Sequence, residues 1–517
     1  MADSVMLSGS EVEPKVDTAP SVEKGQESKE AVSSEASAAK NPVMELPMPE
    51  PPSPMEEKKQ PSAQQAAPAQ LVMEGPKGIR FDFNDGCRVD VPSGKKWRVQ
   101  FRDTGTDTVL FDQWLDQGGR VQSAKHYYLP FQITVWEESE AEPVFQHKCD
   151  LYGKKVVVHM ELGGLGDHLA WVGQAMAFGR QHKAELVCVV RADLAEILAP
   201  ANPDITFVTA DKVPTDSYAS YKVLVFFDDV SRNWQPLDYR QAGLGRMGAY
   251  MLGLTPENRR PDIDIEDKPP IEDPYVVIAV QGSGLGKMWN NPYGWRQVVQ
   301  FLKSLGYRVI CIDQARVTGV NTVWTHIPHG VEDETGNRPL KERARWLKHA
   351  DFFIGLSSGL SWLAWAAQTK VVMVGGFTED YNEFETPWRI INRNVCHGCA
   401  NDLAIRLDLK DYFFCPRHKN TDRAFECSRL ISGNQVIQAC SDLILDLPQE
   451  KRDRLKLFSE MPERPKKVVK AHKAKEKGAS TKKVPKKSGE KKSVAKPTAK
   501  ASKKGTPKSS KKKGQPQ

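Results

Sequence analysis

The strongest constraint on the fold is a regular alternation of apolar and amphipathic segments that begins near residue 152. Short runs rich in β-branched residues, such as KKVVVHM and PYVVIAV, precede segments with helical spacing, such as HLAWVGQAMAFGRQH and WRQVVQFLKSLG. This alternation is typical of parallel βαβ units whose sheet is covered on both faces. It occurs in two sets that meet near PENRRPDIDIEDKPPIEDP. It therefore predicts an α/β protein of two Rossmann-like halves with a cleft, where ligands bind beyond the carboxyl ends of the strands.

The segments that flank this pattern differ from it in composition and indicate domain boundaries. Residues 1–77 are acidic and rich in Pro, Ser, Ala and Gln, which predicts disorder because few apolar residues offset the chain entropy. Residues 78–150 contain short alternating runs separated by NDG, PSG, DTGTD and DQGG, which predicts a small antiparallel β accessory domain. The expected order is then a first half at 151–270, a second half at 271–450, and a disordered Lys-rich tail at 451–517.

The positive charge of the chain belongs to its tail. Residues 466–517 hold 20 Lys and two Glu, so the net charge of +7 for the chain leaves −11 for residues 1–465. Such a tail is expected to be solvated, or to bind acidic partners weakly and with strong salt dependence. The sequence has no apolar run long enough to span a membrane and no N-terminal signal sequence, which predicts a cytoplasmic protein.

The first of four notable loops is ELGGLGDH at residues 161–168, between a predicted strand and a predicted helix. Its glycines let the backbone approach a ligand closely, and the start of a helix favours anions. Asp167 near this start fits two roles. It is either an N-cap or a general base that faces the cleft and deprotonates an acceptor hydroxyl.

The other three loops also follow predicted strands. QGSGLGKMWN at 281–290 is not a Walker A motif, and its Lys287 is either a point charge for a diphosphate or an ordinary surface lysine. GLSSGLS at 355–361 leads into a helix and resembles a phosphate cradle. Asp313 and Gln314, after the strand at 307–312, are placed to contact a ribose or a base.

Four cysteines lie close together in the sequence and predict a metal site. Cys396, Cys399, Cys415 and Cys427 fall within 32 residues, and the first two form a CxxC pair. Four thiolates without an open position form a tetrahedral structural site for zinc or iron, with His397 and His418 as substitute ligands. The five scattered cysteines are interpreted as core residues.

Across about residues 78–450 the chain resembles the bacterial autotransporter heptosyltransferases, the TibC-like branch related to the ADP-heptose lipopolysaccharide glycosyltransferases. The resemblance rests on the spaced cysteines and on five motifs: GGLGDH at 163–168, QGSGLGKMWN at 281–290, ETGNRPL at 334–340, SSGLSWLAWA at 357–366 and GFTEDYNEF at 376–384. It implies a GT-B fold and transfer of heptose from ADP-heptose to serine residues of autotransporter adhesin passengers, in one inverting displacement.

The resemblance also implies roles for individual residues. Asp167 matches the general base, and the four cysteines match a structural iron site; no catalytic metal is implied. The substrate-binding positions are Gly164, Leu165, Gly166, Gln281, Ser283, Lys287, Gln314, Arg338, Gly359, Leu360, Ser361 and Glu383. The family assembles into large rings, so a homo-oligomer is expected, with a dodecamer among the expected sizes.

Two alternatives to this function remain at the level of sequence. The same transferase could use lipopolysaccharide or another glycan as its acceptor. A zinc-ribbon protein that binds nucleic acid with its basic tail is a more distant alternative. It is disfavoured because no basic stripe with interleaved aromatic residues lies near the cysteines.

Overall fold

The computed structural model describes residues 70–408 and 410–455. Residues 1–69 and 456–517, which make up most of the two predicted disordered tails, lie outside the described residues. The prediction of disorder was wrong for residues 70–77. Leu71 is buried, and strand β1 (Met73–Glu74) pairs with the strand that begins at Arg80, so apolar burial and backbone hydrogen bonds hold this segment.

The region predicted as a small β domain supplies strands to two sheets. After β1 it contains β2 (Arg80–Asn84), β3 (Arg88–Val91), β4 (Trp97–Asp103), β5 (Thr108–Leu115), β6 (Gly119–Gln122), β7 (Phe131–Glu137) and β8 (Phe145–Lys148). Four strands form a separate antiparallel sheet in the order β5-β4-β7-β8. Strand β2 instead runs parallel to a strand of the first Rossmann-like half, and β3 and β6 continue that sheet antiparallel. The region and the first half therefore share one sheet.

The first half has the strand order of a Rossmann unit. It contains β9 (Lys155–His159), β10 (Glu185–Val189), β11 (Thr206–Val208), β12 (Ala219–Lys222), α1 (Leu165–His182), α2 (Ala192–Leu198), α3 (Tyr239–Ala242) and α4 (Leu244–Met251). The strands run parallel in the order β11-β10-β9-β12, and β2 follows β12. The middle of β9 is a run of three fully buried valines, as expected for a strand covered on both faces.

The second half repeats this order over six parallel strands. Its strands are β13 (Tyr275–Ile278), β14 (Arg308–Cys311), β15 (Val317–Val320), β16 (Val323–His326), β17 (Glu332–Asp333), β18 (Phe353–Gly355), β19 (Val371–Val374) and β20 (Arg389–Ile390). Its helices are α5 (Gly294–Ser304), α6 (Leu340–His349), α7 (Gly359–Ala366), α8 (Glu426–Arg429), α9 (Gly433–Leu445) and α10 (Gln449–Arg452). The sheet order is β17-β14-β13-β18-β19-β20, with β15 and β16 as a separate hairpin. The predicted α/β architecture of two Rossmann-like halves is confirmed.

The two halves meet where helices α1 and α7 begin. A Cβ added to Gly166 in α1 would lie 2.9 Å from Cδ1 of Trp362, and one added to Gly359 would lie 2.8 Å from Cβ of Leu165. Only hydrogen fits at these two positions, so the glycines allow the helix starts to touch.

No helix within residues 70–408 and 410–455 is long and apolar enough to cross a membrane.

A buried ion pair holds the two strands through which the N-terminal region joins the first sheet. Arg88 of β3 donates through Nε and Nη2 to the two carboxylate oxygens of Asp82 in β2, both at 2.7 Å, and the side chains are 4% and 0% exposed. Arg98 and Asp112 form the same two-bond geometry at 2.8 and 2.7 Å, but on the surface.

We expect Asp82→Ala to lower the free energy of unfolding by about 3–5 kcal/mol, because it removes the carboxylate to which the buried guanidinium donates two hydrogen bonds. Asp112→Ala is the matched control and should change stability little, since the surface pair is hydrated and screened. Chemical denaturation of the two variants measures the difference. Equal losses would contradict the importance of burial at Asp82.

Candidate active site

Asp167 lies at the start of α1, directly beyond the carboxyl end of β9. The loop turns at Gly163, whose φ of +111° favours glycine, and Gly164 is the N-cap of the helix. Asp167 is therefore the third residue of the helix, and its Oδ2 accepts the Gly164 N–H at 2.6 Å. The prediction of Asp167 as the N-cap was thus wrong, because Gly164 is the N-cap and the Asp167 carboxylate accepts a hydrogen bond from its N–H. No hydrogen bond from the described residues reaches Oδ1, so this oxygen remains available to a hydroxyl.

The neighbours of Asp167 fix the same turn. His168 is buried, and its Nδ1 lies 2.9 Å from the carbonyl oxygen of Gly164, to which only a protonated Nδ1 can donate. Burial lowers the pKa of His168. Tyr239 is also buried near Asp167; burial, and more weakly the charge of Asp167, raise its pKa. Sequence reasoning missed Tyr239 because it lies far from the glycine loop along the chain and carries no local motif.

Asp313 lies beneath the second loop, at 281–290, and stabilises its start through hydrogen bonds. This carboxylate is 1% exposed and accepts the N–H groups of Val280 at 2.7 Å and Gln281 at 3.3 Å. Its predicted contact with a ribose or base is therefore wrong in this conformation, because the group is buried beneath the loop. Burial raises its pKa to about 6. Gln281 donates through Nε2 to the Ala315 carbonyl at 2.6 Å, and Gln314 is exposed.

Lys287 is the cation of the second loop. It lies in the turn Leu285–Lys287, next to the exposed Ser283, and none of the ion pairs within the described ranges includes its ammonium group. Strand β13, which precedes this loop, is paired with β18, which precedes the third loop. The two loops therefore leave neighbouring strands at the same edge, at the point where the strand order reverses.

The third loop brings the start of α7 to this edge. Ser358 is the N-cap, and Gly359 and Leu360 in the first turn are partly exposed. Backbone N–H groups of a first turn have no partner within the helix and attract anions. Ser361 donates its hydroxyl to the Leu356 carbonyl and is buried, so its side chain stabilises the loop.

Glu383 and Arg338, two predicted donor contacts, are both paired with other side chains of the chain. Glu383 is 1% exposed and accepts hydrogen bonds from Ser357 of the third loop, from Asn382 at 2.7 Å and from Arg389 at 2.6 Å. Both oxygens of Glu383 are thus engaged in hydrogen bonds beneath the third loop, and its donor contact stays a prediction. Arg338 is on the surface in two ion pairs, each at 2.8 Å, with Glu334 and Glu342.

Arg343 is a supporting residue that sequence reasoning missed. It is 8% exposed, and its guanidinium donates to the carbonyl oxygens of Ile312 and Gly336. It therefore ties the end of β14 to the segment before α6. The run LKERARWLKH resembles an ordinary charged helix, so no local signal distinguishes this arginine from its exposed neighbours.

The four predicted metal ligands lie in one region. The pKa values of Cys399 and Cys427 are raised to about 12, first by burial and then by the charges of neighbouring cysteines of the set. The donor atoms of Cys396, His418 and Glu426 lie within 4.8 Å of one another, which offers a different ligand group. The Glu426 carboxylate, however, already accepts hydrogen bonds from Arg423 at 2.6 and 2.9 Å. The four thiols stay the predicted donor set, since soft sulfur ligands fit iron or zinc.

The cysteine segment also supports the second loop. The N–H of Leu285 donates to the Tyr412 carbonyl at 2.9 Å, and a Cβ added to Gly286 would lie 3.1 Å from the Phe414 carbonyl oxygen. At the far end of the loop, Asn290 donates to Ser428 Oγ at 2.9 Å. Residues 412–428, which carry Cys415 and Cys427, thus contact the loop on either side of Lys287.

Comparison with known proteins gives consistent matches. A family model described as glycosyltransferase TibC, N-terminal domain, matches residues 75–139, and glycosyltransferase family 9 (heptosyltransferase) matches residues 250–403. The autotransporter heptosyltransferase TibC of Escherichia coli O78:H11 is 45% identical over 363 residues, which cover 70% of this chain and 89% of that protein. The inactive autotransporter heptosyltransferase BimC of Burkholderia thailandensis is 41% identical, over 70% and 85%.

A solved structure matches over the same region. The crystal structure of dodecameric iron-containing heptosyltransferase TibC in complex with ADP-D-β-D-heptose aligns with a TM-score of 0.70 at 43% identity. The alignment covers 73% of this chain and 99% of that one. The arrangement of the two halves is therefore that of a heptosyltransferase.

Asp313 should make stability depend on pH. Its folded pKa of about 6 lies above the ordinary value for aspartate, so the folded state binds a proton between these two values. The stabilisation is fully present below the unfolded pKa and is lost as the pH rises through 6. Between pH 4 and 7 we expect the unfolding free energy of the wild type, minus that of Asp313→Asn, to fall by about 2.4 kcal/mol. Denaturant titrations across this range measure it; a constant difference would contradict the buried carboxylate.

Proposed function

The chain belongs to the autotransporter heptosyltransferases, and from this premise we propose that it moves heptose from ADP-heptose to serine hydroxyls of an autotransporter passenger. One observation carries the proposal: a carboxylate with a free oxygen lies where two helix N-termini touch. Asp167 belongs to the first half, and the start of α7 and Lys287 belong to the second. Opposite sides of the cleft thus offer a base and an anion site.

The second half would bind the leaving group. The N–H groups at Gly359 and Leu360 and the ammonium group of Lys287 are donors suited to a diphosphate. Negative charge grows on the diphosphate as its bond to the sugar breaks. Donors that are already in place stabilise this charge in the transition state more than in the bound substrate, which accelerates the reaction. The positive charge that faces the diphosphate would thus come from Lys287 and the start of α7.

The first half would activate the acceptor. Oδ1 of Asp167 takes the proton of the serine hydroxyl, while Oδ2 stays bonded to the Gly164 N–H. The serine oxygen forms a bond to the anomeric carbon as the bond from that carbon to the ADP oxygen breaks. Attack from the face opposite to ADP inverts the anomeric centre in one displacement.

The four thiolates would hold one structural iron per chain. When bound, the ion supplies a cross-link between the CxxC pair and the segment at 415–427, with zinc as the alternative metal. Since Tyr412 and Phe414, just before Cys415, contact Leu285 and Gly286, the metal would stabilise the loop of Lys287 without taking part in the reaction. We also propose a homo-oligomer, because edge strand β5 exposes Val109, Leu110 and Trp114 and a dodecamer is described for the similar TibC.

Asp167→Asn should retain ADP-heptose binding and reduce transfer by about 10²- to 10⁴-fold, because an amide cannot accept the serine proton. Asp193→Asn is the matched control, since Asp193 lies in the first turn of α2 at the same sheet edge and pairs with Arg191. Intact-mass analysis of a recombinant passenger measures the added heptose, and calorimetry measures donor binding.

Full activity of Asp167→Asn would contradict its role as the base. A wild-type protein that binds the donor and modifies a lipopolysaccharide core, but not the passenger, would replace the proposed acceptor. Donor binding without any transfer would place this chain with its inactive relative BimC.

Cys399→Ser should reduce the bound metal from about one ion per chain to nearly none, and should lower the melting temperature, because structural metal sites contribute directly to folding. Cys188→Ser, in the buried core of the first sheet, is the control and should keep its metal. Elemental analysis of the purified protein measures both variants and distinguishes iron from zinc. Unchanged metal in Cys399→Ser would exclude the four-thiolate site.

A further inference from the structure

A second group of ionisable side chains lies at the carboxyl edge of the first sheet, and the proposed mechanism does not use it. Asp85 directly follows β2, Lys222 ends β12, and His159 ends β9, with Glu161 two residues beyond. These three strands are parallel neighbours in the sheet. We refer to these four residues as the edge row.

The edge row is continuous. The Nζ atom of Lys222 lies 2.9 Å from Oδ2 of Asp85, and Lys222 is the register partner of His159. The Nδ1 atom of His159 lies 3.4 Å from Oε1 of Glu161. Burial opposes ionisation of Glu161, but His159 and, more weakly, Lys222 bring its pKa below the ordinary value. Two carboxylates thus alternate with a cation and an imidazole across the strand ends.

Three buried atoms of the edge row have no hydrogen-bond partner among the described residues. They are Oδ1 of Asp85, Oε2 of Glu161 and Nδ1 of His159. The side chains of Asp85 and His159 are each nine-tenths buried. A buried polar atom without a partner is destabilising, so an ion pair that served only the fold would not be expected to leave three of them. The edge row therefore has unused capacity to bind a polar ligand.

The position of the edge row assigns it to the acceptor side. It lies at the reversal of strand order between β9 and β12, where parallel sheets bind ligands. Glu161 and Asp167 flank the same glycine turn, whereas the proposed diphosphate groups belong to the second half. The Lys222 ammonium also lies 5.1 Å from the ring centroid of Trp234, which stacks on His126 at 4.0 Å. The stacked rings of Trp234 and His126 therefore form an aromatic surface beside Lys222.

We propose that Glu161 and Lys222 bind the acceptor polypeptide and hold its serine against Asp167, with Asp85 as a positioning residue for Lys222. This inference rests on the proposed function. An extended polypeptide presents N–H donors and carbonyl acceptors at regular intervals. Glu161, whose side chain is 22% exposed, matches an N–H group, and the Lys222 ammonium, held by Asp85, matches a carbonyl oxygen. These contacts determine which hydroxyl reaches the base.

The test compares Glu161→Gln and Lys222→Met in the full chain. With a recombinant passenger as acceptor, we expect the acceptor KM to rise at least about tenfold, the loss expected for a hydrogen bond to a charged group. The Kd for ADP-heptose, measured by calorimetry, should stay unchanged. Lys155→Met is the matched control, because Lys155 begins β9 at the opposite edge of the same sheet and pairs with the exposed Asp216 at 2.6 Å. It should leave the acceptor KM unchanged.

Each outcome separates this proposal from the proposed function. Normal transfer with an unchanged acceptor KM in both variants would overturn the proposed role of the edge row and leave the proposed function intact. Ordered water would then satisfy the unpartnered atoms. Parallel weakening of ADP-heptose binding also overturns it, because the row would then contact the donor. A wild type that binds ADP-heptose but neither binds nor modifies the passenger overturns the proposed acceptor together with this site. Glu161→Gln keeps the test valid if Lys222→Met unfolds, since it changes charge but not size.

Discussion

The arrangement of the cleft depends on the close contact between the starts of α1 and α7. Gly166 and Gly359 permit this contact, since a Cβ at either position would overlap the other helix. Each helix start carries partial positive charge, so two in contact repel each other unless an anion lies nearby. The Asp167 carboxylate supplies one negative charge on the first half, and a bound diphosphate would supply more on the second. In the proposed function, the same contact that joins the halves would favour binding of an anionic donor.

Buried charged groups position the loops that face this contact. Asp313 binds the backbone at Val280 and Gln281, Arg343 joins the carbonyls of Ile312 and Gly336, and Glu383 binds Ser357. All three are at most 8% exposed, and each bonds to a loop at the carboxyl edge of the second sheet. The cysteine segment supports the Lys287 loop from another side. Rigid support of this kind holds donors in place before the transition state forms, which electrostatic catalysis requires.

Sequence patterns predicted the layers well and the long-range pairings poorly. The apolar runs of β9 and β13 identified both halves, because strands covered on both faces have no polar alternation. The pairing of β2 with β12 joins residues 136 positions apart and leaves no local signature, so the N-terminal region looked independent. Asp167 was recognised, but its capping bond to Gly164 depends on backbone geometry. Glu383 pairs with Arg389, which lies outside the GFTEDYNEF motif, so the motif alone did not indicate its burial.

The central claim is that one displacement, with Asp167 as base, occurs where the two helix starts meet. The most direct test is the anomeric configuration of the glycosylated serine, measured by NMR from the one-bond carbon–hydrogen coupling at the anomeric carbon. With ADP-β-heptose as donor, a single displacement predicts an α-linked product. A β-linked product would require a second displacement or attack from the face of the leaving group, and would contradict this mechanism.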